Sequence, residues 1–192
     1  MIGVGAIAMT VTAGDGSTLY SGSMTIPLAA QPQVTMNTSL GDIVMELNPA
    51  KAPISVDNFL LYVENGFYVN KIFHRVISDF VIQGGGLTAS MQEPTPTYPS
   101  IKLEAGNGLS NLRGSIAMAR TSLLDSASAQ FFINVVDNVN LDAGNGGYAV
   151  FGKVVSGLDT VDKIKVVKTM TQASMTDVPV TPVVINSIIQ TQ

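Results

Sequence analysis

One arginine and one glutamine stand among aromatic and aliphatic residues in the run Phe73-His74-Arg75-Val76-Ile77-Ser78-Asp79-Phe80-Val81-Ile82-Gln83. A guanidinium set in apolar surroundings can offer charged hydrogen bonds, which are stronger than neutral ones. If 71–76 is a strand, Phe73 and Arg75 share a face and His74 points the other way. Taken alone, Arg75 reads first as a surface arginine in an ordinary ion pair. His74 reads as a core histidine satisfied by backbone. A hydrolytic triad of Ser78, His74 and Asp79 has little support, because a nucleophilic serine is usually presented on a strained turn and G-x-S-x-G is absent.

Other chemistries lack their residues. There is no H-E-x-x-H and no phosphate loop ending in Gly-Lys-Ser/Thr. Cysteine is absent, which removes disulfides, thiol nucleophiles and thiolate metal sites, and one histidine makes no multi-histidine metal site. No metal and no cofactor is expected. The triplet Gly84-Gly85-Gly86 reads as a tight backbone passage, since no helix follows to complete an anion site. A net charge of −4, with ten scattered basic residues, gives no surface for nucleic acid.

These side chains need a scaffold, and 192 residues with 46% hydrophobic and 12% charged content can bury a sizeable core. The apolar run Ile2 to Met9 is too short to span a membrane, and no basic residue precedes it. If the protein is exported, its signal lies outside this sequence. Residues 1–33 contain no Lys or Arg. Asp15-Gly16 between two threonine-rich apolar runs predicts a two-residue hairpin turn joining strands at about 4–13 and 17–27, with Gln31-Pro32-Gln33 as a connector.

From Val34 the main domain is expected to run to residue 192, with residues 1–33 as an N-terminal extension. A hairpin covers Val34 to Leu47 around Leu40-Gly41-Asp42. A helix is predicted from about Pro53 to Asn65, with proline in its first turn and Gly66 at its end. Val56, Phe59, Leu60 and Val63 give it one apolar stripe. Short strands follow at Lys71–Val76, Phe80–Gln83, Gly114–Met118, Phe131–Val135, Tyr148–Val154 and Val183–Ile189, with a short helix at Leu158–Ile164. Many short strands and few helices predict a mostly β, closed antiparallel barrel.

The run from Phe73 resembles the cyclophilin signature F-H-R-hydrophobic-hydrophobic-x-x-F-x-x-Q-G-G. Three further stretches agree in order: Asn111-Leu-Arg-Gly-Ser-Ile-Ala-Met-Ala-Arg120, Ser128-Ala-Gln-Phe-Phe-Ile-Asn134 and Tyr148-Ala-Val-Phe-Gly-Lys-Val154. The resemblance spans about Val34 to Ile189 and is closest to bacterial, particularly periplasmic, members. It implies an eight-stranded barrel with two capping helices, here with an N-terminal β-hairpin extension. It implies peptidyl-prolyl cis/trans isomerase activity, proline-containing polypeptides as partners and a periplasmic location, with the cytoplasm as the alternative. By the same resemblance Arg75 is the catalytic arginine and Gln83 its hydrogen-bonding neighbour. Phe80, Phe132 and Leu141 wall the proline pocket, Ala119 and Arg120 clamp the peptide through backbone, and Gln130 lies in an adjoining groove. Val81 stands where methionine is common, Tyr148 where many eukaryotic members have histidine, and Asn140 where an aromatic residue is frequent. The last two imply weak cyclosporin binding.

Rotation about an X-Pro bond makes and breaks no covalent bond, so no nucleophile, metal or acid/base pair is needed. A module that captures proline peptides with little turnover is the alternative, and it would use the same pocket.

Overall fold

Apolar and polar residues alternate from Val34 to Leu47, and the buried positions follow them: Val34, Met36, Ile43, Met45 and Leu47 are all fully enclosed. This pattern makes β3 (Gln33–Thr38) and β4 (Gly41–Leu47), which pair with Thr38 opposite Gly41. The computed structural model describes residues 6–25, 31–142 and 146–192. Its remaining barrel strands are β5 (Lys71–Val76), β6 (Val81–Thr88), β7 (Ser115–Met118), β8 (Phe131–Asn134), β9 (Val150–Ser156) and β12 (Val183–Gln190). They close in the order β12-β3-β4-β9-β7-β8-β6-β5, antiparallel at every step, so the barrel has no free edge.

The expected stripe on α1 (Pro53–Glu64) is the buried one: Val56, Phe59, Leu60 and Val63 all enter the core. Phe59 sits among rings, with centroids at 5.3 Å to Tyr68, 5.2 Å to Phe151 and 5.8 Å to Phe131. The helix start has no local side-chain cap. Glu104 supplies one from far along the chain, accepting from the backbone N–H of Ile54 at 3.0 Å and of Ser55 at 2.7 Å. The second helix, α2 (Leu158–Lys165), buries Val161 and Ile164 and carries Asp159 in its first turn and two lysines in its last. Among the described residues, no helix is long and apolar enough to cross a membrane.

The glycine triplet lies inside β6, which runs longer than the expected 80–83. Gly85 has φ +84°, and a Cβ there would fall 2.8 Å from the Phe131 ring; at Gly86 it would fall 2.6 Å from the Gln130 side chain. The glycines let the strand pass against those two residues.

Two hairpins stand apart from the barrel sheet. The first joins β1 (Ala6–Thr12) and β2 (Thr18–Thr25), which among the described residues pair only with each other. Its turn differs from the expected two-residue form. Ala13 N–H donates to Ser17 O at 2.7 Å, leaving Gly14-Asp15-Gly16 as a three-residue loop with Gly16 at φ +85°. Asp15 stabilises it by accepting from the Ser17 backbone and hydroxyl. The expected strand ends at 4–5 and 26–27 lie outside the described residues. The second hairpin, β10 (Thr169–Gln172) with β11 (Met175–Pro179), is unanticipated. It turns on Ala173 and Ser174, both at positive φ, where asparagine and glycine would be the usual signal.

Candidate active site

Strand alternation sorts the barrel residues into two clusters. Ile82, Ile116, Met118, Phe131, Ile133 and Phe151 point into the main core. Their neighbours Val81, Ala117, Phe132 and Val150 point the other way and form a second apolar cluster on the outer surface of β6, β7, β8 and β9. Phe80, Ala119, Leu141 and Tyr148 pack against it. The site is built on this outer patch, and the barrel interior is filled with side chains.

Arg75 reaches the patch through a break in strand register. Phe73 pairs with Gly84 and Arg75 with Gln83, so one strand advances two residues while the other advances one. This overturns the expectation that Phe73 and Arg75 share a face. The Phe73 ring lies in the core, 6.1 Å from that of Phe131, whereas Arg75 lines an outer cavity with its guanidinium carbon 6.0 Å from the Phe80 ring centroid. The bulge aims the cation outward.

The cavity has a volume of about 150 Å³. Arg75, Phe80, Val81, Gln83, Ala119, Arg120, Phe132, Leu141 and Tyr148 line it, which brings together nine of the residues singled out from the sequence. Gln130 lies in an adjoining cavity that shares Gln83, Ala119 and Arg120. Phe80 precedes β6 in a tight turn, its N–H donating to Ile77 O at 3.1 Å. Leu141 ends a short 3₁₀ turn (Val139–Leu141), on which Asn140 is exposed. Tyr148 meets Phe132 edge to face at 5.6 Å. Arg120 covers Tyr148, with its guanidinium carbon 4.7 Å from the ring centroid, and donates to Gly147 O from Nε at 3.1 Å and Nη2 at 2.8 Å.

The polar side of the site is an amide relay. Gln83 Nε2 donates to Gln130 Oε1 at 3.0 Å, and Gln130 Nε2 donates to Glu93 Oε1 at 2.7 Å. Among the described residues, Gln83 makes no hydrogen bond to Arg75, the neighbour expected for it. Ala119 N–H is taken by Gln130 O at 2.9 Å, so a peptide clamp there would use the Ala119 carbonyl. Glu93, Thr121, Ser126 and Ser128 also line the adjoining cavity. Sequence reasoning missed them because Glu93 sits in a proline-rich loop with no regular period.

His74 is 1% exposed, and Ser78 and Asp79 are at the surface, so no triad forms. The histidine is a core residue, but among the described residues its Nδ1 has no partner, unlike the expected histidine satisfied by backbone. Burial, and secondarily the charge of Arg75, push its pKa down to about 4, against a backbone hydrogen bond with Ile72 that acts the other way. Among the described residues, no cluster of three His, Asp or Glu side chains could hold a metal ion.

The family model for "Cyclophilin type peptidyl-prolyl cis-trans isomerase/CLD" matches residues 33–190. A peptidyl-prolyl cis-trans isomerase of Acinetobacter baylyi is 55% identical over 161 residues, covering 83% of this chain and 85% of its own length. Peptidyl-prolyl cis-trans isomerase B of Escherichia coli is 52% identical over 160 residues, covering 81% and 97%. Among solved structures, a cyclophilin-type isomerase of Cryptosporidium parvum, determined in the presence of the dipeptide Ala-Pro, is similar at 26% identity with a TM-score of 0.68, covering 83% of this chain and 99% of that one. Barrel, outer cavity and relatives agree, and the chain belongs to the cyclophilin-type peptidyl-prolyl cis-trans isomerases.

Proposed function

We propose that this isomerase accelerates rotation about X-Pro bonds in unfolded or flexible polypeptides, with Arg75 as the catalytic residue. The observation that carries the assignment is the placement of Arg75 in one cavity with Phe80, Phe132 and Leu141. A volume of about 150 Å³ is enough for one small ring, since a cavity of roughly that size holds benzene. The proline ring fits that space, and the Ala-Pro dipeptide used with the Cryptosporidium relative supports the same ligand class.

The X-Pro bond turns slowly because amide resonance must be broken, at a barrier of about 18–20 kcal/mol. As the bond twists, the prolyl nitrogen becomes pyramidal and regains a lone pair. A guanidinium hydrogen bond to that lone pair is stronger at the summit than in the planar amide, and only such differential interactions raise the rate. Moving from about 0.01 to about 10 turnovers per second needs roughly 4 kcal/mol. A charged hydrogen bond contributes about 1.5–3 kcal/mol, and a preorganised apolar pocket supplies the rest. Gln83 steadies the substrate carbonyl, while Ala119, Arg120 and Gln130 hold the flanking chain. Val81 and Tyr148 complete the wall.

Residues 34–192 form the isomerase domain and 1–33 an extension, a division supported by the self-paired β1–β2 hairpin. The exposed Asn140 and the Tyr148 rim favour weak cyclosporin binding. Resemblance to periplasmic members favours folding of exported chains in the periplasm.

Exchange spectroscopy on a short X-Pro peptide tests the function. Catalytic amounts of enzyme should broaden and exchange the cis and trans signals. Saturable binding without acceleration would make the protein a proline-capture module instead.

A further inference from the structure

The two walls Phe80 and Leu141 stand on turns outside the barrel strands, and one buried residue ties both turns. Asn138 donates from Nδ2 to Phe80 O at 2.8 Å, while its own carbonyl accepts from Leu141 N–H at 2.8 Å. Its second Nδ2 hydrogen goes to Asn134 Oδ1 at 2.8 Å. Asn134 donates in turn to Asn111 Oδ1 at 3.1 Å and Ser115 Oγ at 2.9 Å. Asn111 donates to Asp142 Oδ1 at 2.8 Å from both its backbone and its side chain, and the Ser110 hydroxyl donates to the other carboxylate oxygen. Asp142 directly follows Leu141 in the chain, so the circuit closes on the pocket wall.

The direction of every amide in this circuit is fixed at its two ends, by the Asp142 carboxylate and by the Phe80 carbonyl, both of which only accept. An ionised carboxylate only accepts, so Asn111 must turn its NH₂ toward Asp142 and its oxygen toward Asn134. Asn134 then turns its NH₂ to Asn111 and its oxygen to Asn138, which leaves Asn138 to donate to Phe80. Burial pushes the Asp142 carboxyl up, but donation from Ser110 and Asn111 more than offsets it and holds the group below its ordinary value. Asn111 and Asn134 are fully enclosed and Asn138 is 5% exposed, so water does not compete for these bonds.

We infer that Asp142 and Asn138 are positioning residues of the proline pocket, the carboxylate anchoring one end of an Asn111-Asn134-Asn138 chain whose other end grips the Phe80 carbonyl, so that Phe80 and Leu141 are held in register. The inference rests on the proline-pocket assignment above. Neither residue touches the reacting bond, so they act on ring binding and leave Arg75 chemistry in place.

The test uses the full chain with Asp142→Asn, Asn138→Ala and the double variant, each checked for native tertiary signals at the assay temperature. Steady-state constants are measured for one X-Pro peptide, together with its directly titrated Kd. Asn138→Ala should raise KM and Kd about tenfold with kcat changed less than about twofold, and Asp142→Asn should raise them about threefold. The double variant should match Asn138→Ala alone, because residues in one network are not additive. An unchanged KM in folded variants overturns the inference, as does a fall in kcat at constant KM or full additivity. If Asn138→Ala does not fold, an unchanged KM for Asp142→Asn overturns it alone. A wild-type protein that binds the peptide without turnover would instead remove the catalytic assignment, while Kd still reports on the circuit.

Discussion

Arg75 and Gln83 are cross-strand partners in β5 and β6, and both reach the same cavity. Gln83 gives one of its two amide N–H groups to Gln130, and among the described residues no hydrogen bond joins it to Arg75. The two side chains therefore hold separate parts of the site. Gln83 belongs to a relay that ends at Glu93, and among the described residues the Arg75 guanidinium makes no hydrogen bond, which leaves its donors for the cavity.

Arg75→Ala should lower kcat for an X-Pro peptide by roughly 100-fold, the loss of about 2–3 kcal/mol from one charged hydrogen bond made mainly in the transition state. Peptide Kd should change about threefold or less. Exchange spectroscopy gives both values on the same sample, and near-normal turnover would remove the mechanism.

Phe132→Ala removes a 4%-exposed ring that packs against Tyr148. Peptide Kd should rise about tenfold, and the fold should lose about 3 kcal/mol through the cavity left behind. Calorimetric titration and urea melts check the two effects. Unchanged peptide affinity would count against the pocket.

Stability should depend on pH through His74. Its folded pKa, about 4, lies below the ordinary value of 6.5, so the unfolded chain takes up the proton first. The contribution is fully present above about pH 6.5 and is lost as pH falls toward 4, by up to about 3 kcal/mol. Chemical melts of wild type and His74→Gln across that window isolate it: the difference should vanish in slope above pH 6.5 and steepen below. Parallel curves throughout would contradict the buried neutral imidazole.

Removal of residues 1–30 should leave kcat and KM within about twofold of the full chain, because β1 and β2 join no barrel strand. Pro32 and Gln33 must stay, since the Pro32 carbonyl accepts from Leu47 N–H at 2.8 Å and Gln33 begins β3. Activity and melting temperature of the shortened chain are the readouts.

The barrel was legible because β3 and β4 alternate and many short strands are separated by turns carrying glycine, proline and asparagine, and α1 announced itself through Val56, Phe59, Leu60 and Val63. The β10–β11 hairpin was not, because Ala173 and Ser174 carry none of the chemistry that positive φ normally demands. The bulge that separates Phe73 from Arg75 was also hidden: strict alternation is the only rule a lone strand displays, and a register break is set by the partner strand. Site membership could be read from four motifs. The connections between members could not, since the Asn138, Asn134 and Asn111 amides lie far apart in the chain from Phe80 and meet only when β6 and β7 both close on β8.

Because the cavity opens on the flank of the cylinder and its bore is packed solid, a polypeptide has nothing to thread. Under the proposed assignment it can lie down sideways at any proline along its length, with both ends extending away from the barrel. Chain length and free termini therefore impose no entry requirement; local slack around one residue does.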